Sequence, residues 1–69
     1  MTYNYSKLLG AMKERGMTQT TIAEYTGIDS STLNKKLNNK SQFKQDEMQA
    51  ILNTLEIPLS DVVTYFFTH

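Results

Sequence analysis

Ser30, Ser31, Asn34, Lys35 and Asn38 recur at the spacing that places side chains on one face of a helix. These are short hydroxyls and amides that donate or accept hydrogen bonds, with one cation among them. On an outward helix face such groups suit the edges of base pairs in a DNA major groove. Ser30 and Ser31 stand at the N-terminal end of that face, where no Gln or Arg is found. Serines accept either base partner, so either discrimination falls to Asn34, Lys35 and DNA shape, or DNA reading is not the chain's main task. Nothing else in the chain suggests bond-making chemistry. There is no cysteine, and the single histidine, His69, is the last residue and reads as a bystander. The sequence holds no nucleophile–base pair, no carboxylate dyad at a useful spacing, no phosphate-cradling glycine loop and no metal-ligand set. No enzymatic activity, metal or cofactor is expected.

The elements that must hold this face read as helices, because strand-like alternation never persists beyond a few residues. Tyr5, Leu8, Ala11 and Met12 fall at helical spacing, with Leu9 at the edge of the stripe and Gly16 as the stop. Thr18 is the N-cap expected for a second short helix that carries Ile22 and Ala23 and ends at Gly27. Asp29 caps a third, with Leu33 and Leu37 on its inner side. Ala23 is small where the paired helices cross, and Gly27 offers the positive φ that a sharp turn needs. Ile22, Ile28, Leu33 and Leu37 then form the seam between them. Residues 38–41 read as a loop. A fourth helix is expected from about Gln45 to Leu55, with Met48, Ile51, Leu52 and Leu55 inward and Asp46 and Glu47 in its acid-favouring first turn. Pro58 breaks the chain, and Ser60 can cap a last helix holding Val62, Val63, Phe66 and Phe67. The fold class is therefore all-α: five short helices packed as one compact bundle, a single domain over residues 1–69 with a modest core.

The formal net charge is zero, but it is unevenly spread. Residues 1–44 hold all seven Lys and Arg against three acids, a net of +4, and residues 45–69 hold four acids and no Lys or Arg, a net of −4. A basic front facing phosphate is consistent with DNA binding in spite of the sum. No apolar run is long enough to span a membrane, and the first residues lack a signal-peptide pattern. A cytoplasmic location is expected, with no membrane partner.

The stretch Gly16-Met17-Thr18-Gln19, then Ile22-Ala23, then Gly27-Ile28-Asp29-Ser30-Ser31-Thr32-Leu33, then Lys36-Leu37-Asn38 resembles the lambda-repressor-like helix-turn-helix family, also called the Cro and xenobiotic-response-element family. The resemblance covers roughly Tyr5 to Phe67. The ending, Phe43 through Tyr65-Phe66-Phe67, is similar to small Cro-like regulators of phages of Gram-positive bacteria. What it implies is a recognition helix, a palindromic operator in double-stranded DNA, and a repressor acting by occupying that operator in a bacterial host cell. It also implies that Gln19 holds a phosphate and braces a base-reading side chain. Ser30, Ser31, Asn34 and Lys35 would face bases, while Asn38 and Lys40, with Lys36 beside them, would hold the DNA backbone. Two residues depart from the family pattern. Thr26 stands where a larger apolar residue usually precedes the turn glycine, and Lys44 stands where Ser or Thr usually caps the fourth helix, a change worth about 1 kcal/mol at that end.

A second function fits the same residues. Fold does not fix function, and the chain could instead be a modulator or antirepressor that docks on a partner phage repressor. The acidic C-terminal third and the cluster from Val62 to Phe67 would then be the contact, with Val62, Tyr65 and Phe66 as the candidate dimer or partner surface. Under the DNA-binding reading the same residues would support a weak homodimer.

Overall fold

Leu8, Ile22, Leu33, Ile51, Leu52, Leu55 and Phe66 are the side chains most completely withdrawn from water. In the computed structural model, which describes residues 2–69, they come from α1 (Ser6–Glu14), α2 (Gln19–Thr26), α3 (Ser30–Leu37), α4 (Gln45–Thr54) and its C-terminal end, and α5 (Val62–Phe66). A single 3-10 turn, Leu59–Asp61, leads into α5, and no strand is present among the described residues. The radius of gyration is 10.7 Å, against about 11 Å for a compact chain of this length. α2 packs on both α3 and α4, while α5 closes the far side against α1 and α4. No helix among the described residues is long and apolar enough to cross a membrane.

The helix boundaries follow from local chemistry. Thr18 Oγ1 accepts from the Thr21 N–H at 3.2 Å, satisfying one of the donors that the first turn of α2 leaves without a helical partner. Gly16 and Gly27 take left-handed φ values of 66° and 77° after α1 and α2, a conformation in which a Cβ would crowd the following carbonyl. Leu9, at the edge of the α1 stripe, is exposed. At the other end of the chain the expected cap is replaced. Ser60 does not cap α5 but lies inside the 3-10 turn, which starts after Pro58, and Asp61 occupies the position before α5.

Three aromatic rings join distant parts of the chain. Tyr5, Phe43 and Phe66 meet pairwise at 5.1–6.4 Å between centroids, each pair edge to face. Phe43, in the α3–α4 loop, is thereby drawn into the core. The chain ends are tied nearby, since the Asn4 N–H donates to Thr68 O at 2.6 Å. Tyr3 and Asn39 form a two-point clasp: the Tyr3 N–H donates to Asn39 Oδ1 at 2.8 Å, and Asn39 Nδ2 donates to Tyr3 O at 2.9 Å. Asn39 sits at φ 61°, a region that Asn tolerates better than most side chains. The loop after α3 is therefore pinned to the start of the chain.

A Cβ added at Gly27 meets no heavy atom within 4 Å, so only the left-handed backbone opposes a larger residue. Gly27→Ala is expected to lower stability by about 1–2 kcal/mol, read as a lower midpoint in urea with an unchanged slope. A loss of several kcal/mol would mean that the turn is tightly packed rather than conformationally strained.

Candidate nucleic-acid interface

The turn between α2 and α3 is three residues, and each is fixed by a different contact. Gly27 supplies the left-handed step. Ile28 packs half-buried on the core. Asp29 accepts the Ser31 N–H at 3.1 Å and so caps α3. Thr26 proves useful where a larger apolar residue was expected. Its hydroxyl donates to Ile22 O at 2.7 Å and accepts from the Ile28 N–H at 3.3 Å, so it ties the end of α2 to the turn.

With Leu33 and Leu37 turned inward, α3 exposes Ser30, Ser31, Asn34 and Lys35. These four, together with Gln19, Asp29 and Lys40, line one open depression on the surface. Six of them, from α2, α3 and the loop after it, are residues that the sequence and the resemblance single out. Asp29 is an addition, having been read only as a cap. The Ser31 hydroxyl donates to Asp29 Oδ2, which commits its proton and leaves its lone pairs outward. That hydroxyl, followed by the backbone N–H groups of Thr32 and Ser31, holds the Asp29 carboxyl below its ordinary pKa. The N-terminal end of the face is therefore rich in acceptors, and its cations, Lys35 and Lys40, stand further along.

The amides on this face are linked to one another. Asn34 Nδ2 donates to Gln19 Oε1 at 3.2 Å, which bridges the two helices. Asn38 Nδ2 donates to Asn34 O at 2.8 Å and to Asn34 Oδ1 at 3.2 Å. The Asn38 side chain is therefore folded back on α3 and is not among the groups lining the depression.

Two groups of residues lie elsewhere than their sequence suggests. Lys36 was expected beside the DNA backbone, but it is only 5% exposed and its ammonium donates to Glu47 Oε1. It lies three residues after Leu33 and one before Leu37, on the inner stripe of α3, so it is not available to a phosphate. The second group is the expected partner surface. Phe66 is 1% exposed and belongs to the aromatic core, while Val62 and Tyr65 are half-buried against it. At this end of the chain the apolar residues that face outward are Leu59, Val63 and Phe67, with Val63 64% exposed. Leu59, Val62 and Phe67 share a shallow apolar depression with Gln45 and Met48.

Glu47 also answers the missing cap at Lys44. Its Oε1 accepts the Lys44 N–H at 2.8 Å, the half of a capping box that a glutamate at this position can supply. Burial pushes the Glu47 carboxyl up, but the Lys36 ammonium, the Lys44 N–H and the Lys44 charge together hold it below the ordinary value. Among the described residues, no cluster of three or more His, Asp or Glu side chains could hold a metal ion.

Over residues 1–69 the chain matches the family model described as "Protein of unknown function (DUF739)". No curated protein matches it.

The Lys36–Glu47 pair yields a test with a defined sign. A lowered folded pKa contributes stability above the unfolded glutamate value of about 4.3, lost as pH falls through the folded value. Glu47→Gln should remove that part of the acid sensitivity in unfolding curves taken at stepped pH. Lys36→Met should cost on the order of 3 kcal/mol near neutral pH, because it leaves the carboxylate without its cation. A Lys36→Met protein as stable as the wild type would show that the pair is not coupled to folding.

Proposed function

The chain belongs to the DUF739 family, and we propose that it is a sequence-specific DNA-binding regulator of the lambda-repressor-like, helix-turn-helix kind. In this reading it is a Cro-like phage or prophage repressor that acts by occupying operator DNA. The observation that carries the proposal is the single depression shared by Gln19, Asp29, Ser30, Ser31, Asn34, Lys35 and Lys40. Seven polar side chains from α2, the turn, α3 and the following loop converge there, and none is fully buried. α3 has eight residues, and an α-helix with its side chains is about 10–12 Å across, which a major groove about 12 Å wide admits. Ser30, Ser31, Asn34 and Lys35 read bases, with Asp29 and Ser31 accepting from exocyclic amines. Lys40 and Gln19 hold the phosphate backbone. A palindromic operator places two copies side by side, and the limited exposed apolar surface fits a pairing completed on DNA rather than a tight dimer in solution.

A second reading is favoured by the outward apolar stripe of Leu59, Val63 and Phe67. In it the chain docks on a partner repressor and modulates it. Val63→Asp separates the two. A DNA-reading protein keeps its half-site affinity in this variant, whereas a modulator loses its partner and, even as wild type, shows no base preference of its own.

The principal experiment is a gel-shift series on the DNA flanking the gene, at several salt concentrations. Lys40 is the cation on the depression assigned to phosphate and Lys35 stands beside it, so log K should fall with log salt at a slope of roughly −1 to −2 per bound chain. Lys40→Ala should shallow that slope and weaken cognate and random DNA alike. Asn34→Ala and Lys35→Ala should each cost about 1–3 kcal/mol on the cognate site and relax base preference. A slope near zero, or equal losses on cognate and random DNA for all three variants, would rule out this surface as the reader.

A further inference from the structure

The three linked amides on α2 and α3 have a fixed polarity, and the group that fixes it is a backbone carbonyl. Asn34 O can only accept. It receives Asn38 Nδ2 at 2.8 Å as well as the Asn38 backbone N–H at 3.1 Å, so the side-chain atom of Asn38 that faces it must be the nitrogen. The same nitrogen stands 3.2 Å from the Asn34 side chain, which must therefore present its oxygen on that side. The Asn34 nitrogen is left pointing toward Gln19, 3.2 Å away, and Gln19 must accept with Oε1. A flip of any one amide would set two donors or two acceptors against each other.

We infer that Asn38 is a positioning residue that orients the Asn34 amide so that it reads adenine. This inference rests on the DNA-reading role proposed above. Held from both sides, Asn34 keeps one Oδ1 lone pair and one Nδ2 hydrogen for a ligand. These are the acceptor and donor that meet adenine N6–H and N7 in the major groove. The opposite order would be offered by a flipped amide, and guanine, with acceptors at both O6 and N7, meets the fixed order with one repulsive contact. Gln19, which accepts with Oε1, has its Nε2 left to donate to a phosphate oxygen. Asn38 therefore does not grip the DNA backbone; its amide is engaged in setting the direction in which its neighbour reads.

The test is selection of bound sequences from a DNA pool randomised across the half-site, carried out on wild type, Asn34→Ala, Asn38→Asp and Asn38→Ala, with thermal unfolding of each variant measured in parallel. Asp is close in shape to Asn but has no hydrogen to give Asn34 O. The wild type should enrich adenine by about ten-fold or more at one position of each half-site. Asn34→Ala should erase that preference. Asn38→Asp and Asn38→Ala should bring the same position to near parity while the other positions keep theirs; should the Asp variant fail to fold, the Ala variant carries the comparison. A wild-type base profile retained in a folded Asn38 variant would overturn the inference and leave Asn38 as a helix cap. Enrichment of a base other than adenine at the position that Asn34→Ala erases would overturn the assigned polarity. A wild type that enriches no sequence would instead overturn the DNA-reading proposal itself, and the inference with it.

Discussion

Glu47 Oε1 receives both the Lys36 ammonium and the Lys44 N–H, and through that one oxygen the outward-facing helix is locked to the first turn of α4. The placement of the polar face depends on this. α3 is only eight residues long and would be marginal by itself. Leu33 and Leu37 hold it to the core on one side, but two leucines a turn apart leave rotation about the helix axis loosely determined. The ion pair of buried Lys36 with half-buried Glu47 resists that rotation, since any turn of α3 would separate the cation from its anion in a partly desolvated place. The arrangement of Ser30, Asn34 and Lys35 on the opposite side is thus fixed from behind.

The turn preceding α3 is governed by the same economy. A chain of 69 residues has little apolar surface to bury, and polar contacts do much of the positioning. Thr26 closes the end of α2, Asp29 opens α3, and Asn34 reaches across to Gln19. The core itself is closed by aromatic edges drawn from residues 5, 43 and 66. The start, the middle and the end of the chain must therefore all be in place before the core is complete.

Much of this was legible in the residues. Thr18, Asp29, Gly16 and Gly27 each declare a boundary through a property of their own side chain or its absence, so the first three helices fall where their sequence places them. Lys36 is not placed by its type: residues 33, 36 and 37 make a regular inner stripe, but a lysine on it has a long arm, and only Glu47 facing it turns it inward. At the C-terminal end the error was one of phase. Val62, Tyr65 and Phe66 lie on the inner side of α5, and Leu59, Val63 and Phe67 on the outer. Five large apolar residues among six give no periodic contrast from which to choose a side. What settles it is the meeting of Phe66 with Tyr5 and Phe43, a contact across almost the whole sequence. The resemblance implies that Gln19 braces a base-reading side chain, but the polarity of the linked amides is hidden, because which end of an Asn or Gln faces which partner is a property of a network and not of a residue.

The clasp between Asn39 and Tyr3, like the bonds around Asn34, is made by primary amides. Amides are among the less durable side chains under heat. Hydrolysis of Asn39 to aspartate would exchange its donating nitrogen for a second accepting oxygen and set a carboxylate against the Tyr3 carbonyl. The loop after α3 would lose one of its two bonds to the chain start and keep the other, from the Tyr3 N–H. Such a change would reach the loop that carries Lys40 directly, since Asn39 lies outside both the helices and the buried apolar cluster.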